Sequence, residues 1–154
     1  MIKNNVTRLL DARSINYKAF ELSAEKHSAE STAKMLGVPP EVVYKTIVVK
    51  REKGKPILFM VPATAEVNMK KLAAALDEKK LHLPTQREAE QLTGLQSGGI
   101  SPLALLNKGF QICLERSAEN HAEIHISGGQ RGLNIRLPVQ DLIALTSARM
   151  VDAI

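Results

Sequence analysis

Hydrophobic positions along the chain change their period several times, and each change marks an element. Val6, Leu9, Leu10 and Ala12 follow a helical spacing, with Asn4 or Asn5 placed to cap the first turn. INYKAFEL at 15–22 alternates and carries β-formers, which predicts a strand. HSAESTAKMLG at 27–37 returns to helical spacing, opened by Ser28 and closed by Gly37, before Pro39 and Pro40 force a break. Glu41 to Tyr44 has room for one more helical turn. TIVVKREKGKPILFMVP at 46–62 sets two apolar runs around a charged Lys-Gly turn, the pattern of a β-hairpin. Asn68 caps a helix over MKKLAAAL, LHL at 81–83 is a short strand, and TQREAEQLTG at 85–94 is a helix stopped by Gly94. Beyond the loop GLQSGGISPL, the segments FQICLE, EIHIS and LNIRLP predict three strands, and VQDLIALT the last helix.

No internal repeat and no linker long enough to divide the chain is present, so residues 1–154 are expected to form one domain. Helices and hairpin strands in this order predict an α+β fold, with a mixed sheet curled toward a barrel and helices around it.

One position breaks the pattern. In VVYKTIVVK at 42–50, Lys45 shares a strand face with Val43, Ile47 and Val49. An ammonium group on an apolar face is costly unless it snorkels, meets an acid or meets an anionic ligand.

Composition narrows what that ligand is. The 154 residues carry a net charge of +5, which permits an anionic partner, and only 3% are aromatic, which argues against binding single strands on rows of stacked rings. RNA would instead be held through phosphates, shape and one terminal nucleotide. No apolar run approaches the ~20 residues of a membrane helix and the first residues do not resemble a signal peptide, so no membrane partner and a cytoplasmic location are expected. The single cysteine, Cys113, lies in the apolar FQICL and reads as a core residue.

Two glycine-rich loops are the other candidates. Ser97, Gly98, Gly99, Ile100, Ser101 and Pro102 form the first; Ser127, Gly128, Gly129, Gln130, Arg131 and Gly132 the second. Paired glycines let backbone N–H groups approach an oxygen closely, although neither loop matches a P-loop or a dinucleotide motif, and the second also suits a plain hairpin turn. The serines lie in no GxSxG elbow, and His121 and His125 lack a third ligand, so neither a serine hydrolase nor a metal site is expected. Lys70 and Lys71 open an amphipathic helix, as a solvated face or as phosphate contacts.

VYKTIVV, NMKKLAAAL, GGISPL and ISGGQRGLNIRL occur in an order and spacing that resemble the YbaK/ProX-type aminoacyl-tRNA deacylases, free-standing relatives of the editing domain of bacterial prolyl-tRNA synthetases. The resemblance covers nearly the whole chain. It implies the editing-domain fold and hydrolysis of mischarged tRNA, of the Cys-tRNA(Pro) type, without cofactor or metal and in association with prolyl-tRNA synthetase. It places Lys45 on the family's functional lysine, and Gly98, Gly99, Ile100, Ser101, Pro102, Ser127, Gly128 and Gly129 on its pocket loops, whose N–H groups would fix the aminoacyl end. Lys70, Lys71 and Arg131 are the expected tRNA contacts. The cysteine-type members carry tyrosine near Leu22 and aspartate at Asn134, two pocket positions, so a deacylase for alanine, serine or proline stands beside the cysteine reading. A tRNA- or synthetase-binding module without hydrolysis and a hydrolase of small esters are the remaining alternatives.

Overall fold

A computed structural model describes residues 2–23, 25 and 28–154. In chain order the elements are α1 (Asn5–Ala12), β1 (Lys18–Glu21), α2 (Ala29–Leu36), β2 (Tyr44–Arg51), β3 (Ile57–Pro62), α3 (Met69–Ala75), β4 (Leu81–His82), α4 (Gln86–Thr93), β5 (Gln111–Glu115), β6 (Glu123–Ser127), β7 (Leu133–Pro138), α5 (Val139–Thr146) and β8 (Arg149–Val151). The helix boundaries follow cap chemistry. Asn4 and Thr7 cap α1 reciprocally, the Asn4 side chain accepting from Thr7 N–H and Thr7 Oγ from Asn4 N–H. Ser28, Asn68 and Thr85 each accept a hydrogen bond from the first turn of α2, α3 and α4. Gly37 and Gly94 end α2 and α4 with φ of 70° and 74°, a conformation that costs a residue with a Cβ.

The strands form two sheets. The smaller is antiparallel in the order β1-β7-β6; the larger is mixed, in the order β4-β2-β3-β5-β8, with β3, β5 and β8 parallel. The sheets meet where Val43 bridges His125 just before β2. The fold is α+β, as expected, but the sheets curl onto each other without closing into a barrel. The strand β8 was not expected from the sequence.

Alternation along β2 and β3 separates two cores. Tyr44, Val48, Leu58 and Met60 face the smaller sheet and pack with Ile124, Ile126, Ile135 and Leu137, with Leu10 of α1 and Leu142 of α5 completing that core. Val49, Ile57, Phe59 and Val61 face the other way, where Leu72 of α3 covers them together with Cys113 and Val151. Each fully buried aliphatic chain contributes roughly 1.5–3 kcal/mol, so α3 is fastened chiefly by Leu72, the buried residue of that helix.

Candidate active site

The pairing of β4 with β2 covers only Lys50 and Arg51, so the edge of β2 at 44–47 has no strand beside it there. A cavity of about 330 Å³ occupies this place, between β2, α2 and the end of the smaller sheet. Lys45, Thr46 and Ile47 form one wall, and Leu22, Asn134 and Ser127 form the end given by the smaller sheet. Ser97, Gly98, Ile100 and Arg131 come from the two glycine loops. Residues 22 to 134 are thus brought into one site.

Lys45 lies opposite Val61 in the β2–β3 ladder and is half-buried. Its side chain makes no hydrogen bond or ion pair among the described residues, although Glu25 lines the same cavity.

The first loop is held from α4, where Glu90 Oε2 accepts the Ser97 N–H at 2.8 Å. Gly98 takes φ 88°, and neither its N–H nor that of Ile100 has a protein partner among the described residues. Two backbone donors are therefore available at the cavity. The Gly99 N–H bonds Gln96 O instead, and a Cβ at Gly99 would lie 2.9 Å from the backbone of Gln130 and Arg131. The two loops touch main chain to main chain at this point. Arg131 fastens the contact, its Nε donating to Ser97 O at 2.6 Å.

The second loop behaves differently from expectation. The Gly128 N–H donates to Leu133 O within the hairpin, and the Gly129 N–H to Ser127 Oγ at 3.3 Å. Asn4 Nδ2 grips the same loop through Gly128 O at 2.9 Å. These glycine N–H groups are engaged in the turn. Gly99, Gly128, Gly129, Ser101 and Pro102 do not line the cavity; Ser101 is buried, with its Oγ accepting from Leu103 N–H as a cap. Lys70 and Lys71 also lie away from it, on α3, where Lys71 Nζ points to Ile154 O at 3.5 Å.

Asn134 is buried, and its Oδ1 lies 2.8 Å from His125 Nδ1. An amide oxygen only accepts, so Nδ1 carries the proton, and the Asn134 amide nitrogen, with no protein partner among the described residues, is left as a donor at the cavity end. Burial holds His125 below the usual histidine range, partly opposed by the hydrogen bond to Asn134. Sequence reasoning passed over two residues of the cavity lining, Tyr44, whose hydroxyl meets Ser117 Oγ at 2.7 Å, and Glu25. Tyr44 stands beside Lys45 in VYKT, and only the cavity distinguishes it from an ordinary core residue.

The model of the aminoacyl-tRNA editing domain matches residues 23–145. A protein of Enterococcus faecalis named as a candidate Cys-tRNA(Pro)/Cys-tRNA(Cys) deacylase, EbsC, is 32% identical over 152 residues, covering 97% of this chain and 92% of its own. The proline–tRNA ligase of Thermodesulfovibrio yellowstonii is 31% identical over 91 residues, 58% of this chain but 16% of that enzyme. Among solved structures, a candidate trans-editing enzyme for prolyl-tRNA synthetase superposes with a TM-score of 0.84 at 25% identity, over 99% of this chain and 98% of that one.

Proposed function

Because the chain belongs to the aminoacyl-tRNA editing domain family, we propose that it acts in trans on mischarged tRNA in the cytoplasm, hydrolysing the ester between the amino acid and the terminal adenosine. The observation that carries this reading is Lys45, whose side chain has no protein partner among the described residues and which lines one cavity with Gly98 and Ile100, whose N–H groups are likewise unengaged. An ester carbonyl placed there develops negative charge on its oxygen when attacked, and preorganised donors stabilise that charge most where water is excluded.

A tRNA ester is already activated, so orientation and charge stabilisation suffice and no protein nucleophile is required. Water adds to the carbonyl carbon, the bond to the ribose oxygen breaks, and that oxygen leaves with a proton as the free tRNA end. With cysteine as the amino acid, its own thiol attacks the carbonyl carbon in place of water, closing a cyclic thioester while the ribose oxygen leaves with the thiol proton, and water then opens that thioester. Lys45 holds the oxyanion or the adjacent phosphate. Asn134 offers an uncharged amide donor, and Leu22 an apolar wall, to the amino-acid end. This neutral end suits cysteine on tRNA(Pro), as in the name of the Enterococcus relative, and equally alanine, serine or proline. The likeness to prolyl-tRNA synthetase editing regions supports that synthetase as the source of the tRNA.

A panel of tRNA(Pro) charged with cysteine, alanine, serine or proline tests the reading. Wild type releases one of these amino acids, and Lys45→Ala lowers that rate roughly 100-fold with an unchanged thermal midpoint. Binding without release across the panel would leave a tRNA-binding module instead, and turnover of small esters with none of tRNA would leave a small-molecule hydrolase.

A further inference from the structure

One row beyond the cavity end, on the outer face of the smaller sheet, Lys18 of β1 stands directly opposite Arg136 of β7. Like charges in that relation destabilise an antiparallel pair. Lys18 has no ion pair among the described residues, and Arg136 has only Glu123 at 3.7 Å, beyond hydrogen-bonding distance. The Arg136 Nε is buried with no hydrogen-bond partner. Both cations lie on the Phe20 ring, at 5.2 and 5.8 Å from its centre. The ring's negative face offsets part of their repulsion in the free protein; an anion between them would offset it more completely.

Position identifies the anion. Phe20 is directly opposite Asn134, which lines the cavity, so the cation pair lies one two-residue step, about 6.8 Å, farther along the same strands. Resting on the deacylase reading above, we propose that Lys18 and Arg136 form a clamp for a phosphodiester of the RNA strand that leads away from the aminoacylated adenosine. Phe20 holds the two side chains at the spacing the clamp needs.

The test measures binding of uncharged tRNA and deacylation of mischarged tRNA against salt, for wild type, Lys18→Gln and Lys18→Gln/Arg136→Gln. One phosphate contact to a single strand, contributing a slope of about 0.7, makes the double variant's logarithmic salt dependence shallower by about 0.7. The advantage of wild type over the double variant therefore shrinks about 2.6-fold between 50 and 200 mM salt. The ratio of kcat/KM on full tRNA to that on an aminoacylated adenosine falls in parallel, through KM. The thermal midpoint of Lys18→Gln holds or rises, because a like-charge contact is removed. An unchanged salt slope in an active double variant overturns the clamp while leaving the deacylase reading intact. So does a lost interaction with a synthetase at unchanged tRNA affinity, which would make this a protein-binding face. If wild type neither binds tRNA nor releases any amino acid, the deacylase reading and the clamp fall together.

Discussion

Ser-Gly-Gly occurs twice, at 97–99 and 127–129, and the two copies are used in opposite ways. In the first, the turn at Gly98 leaves two N–H groups without protein partners at a cavity. In the second, the N–H groups close a hairpin and the glycines make room for packing. A Cβ on Gly128 would lie 2.5 Å from Leu133 Cγ, and one on Gly129 would lie 2.9 Å from Val6. What separates the copies is the chain that follows. Leu133 and Ile135 enter a strand ladder at once, while Pro102 lacks an N–H and begins a short 3₁₀ turn. The second loop is the wall against which the first is set, with Arg131 and Gly99 as the points of contact.

The largest effect that separates them is expected at Gly128. Gly128→Ala forces Leu133 aside within a packed core and costs about 2 kcal/mol, read by denaturant unfolding, while the protein that stays folded keeps most of its deacylase rate. A variant as stable as wild type would mean that this loop has room to give. Gly98→Ala meets no backbone, its nearest contact being Arg131 Cγ at 3.5 Å, but carries φ 88°. It loses about 1–2 kcal/mol and on the order of tenfold in kcat/KM as the donors turn. Equal proportional losses of activity and stability would erase the distinction between presenting and supporting loop.

The smallest effect concerns the base of the second loop, where His125 holds Asn134. With the folded-state pKa of His125 held below its unfolded value, the unfolded chain binds more protons on acidification. Stability is then complete above about pH 6.5 and declines as pH falls below it, by at most about 1.4 kcal/mol per pH unit for one proton. His125→Gln flattens that decline between pH 6.5 and 5 in unfolding experiments. Arg136 and Glu123, which also act on His125 with opposite signs, remain in the variant.

Much of the local structure was legible because it is written in single residues. Asn4, Ser28, Gly37, Asn68 and Gly94 each mark a helix end through their own chemistry. Lys45 was legible as a break in alternation, and its need for an anion followed from burial alone. The pairing of β3 with β5 and of β5 with β8 was not, since parallel neighbours far apart in sequence leave no local mark. The short β8 was hidden by its polar Arg149. Lys70 and Lys71 looked equivalent to Lys45 in charge, and only the position of α3 shows that they stand outside the cavity. The two Ser-Gly-Gly turns were indistinguishable as tripeptides, because the use of an N–H depends on what lies opposite it.

The pairing of β1 with β7 also fixes when the site comes into being. Phe20 needs Asn134 as its neighbour, and Leu22 N–H needs Gly132 O, so the chain must be made past residue 134 before the cavity has its end wall. Contacts this distant in sequence form late and slow folding. A nascent chain on the ribosome, surrounded by correctly charged tRNA, therefore carries Lys45 before the end wall of its cavity exists.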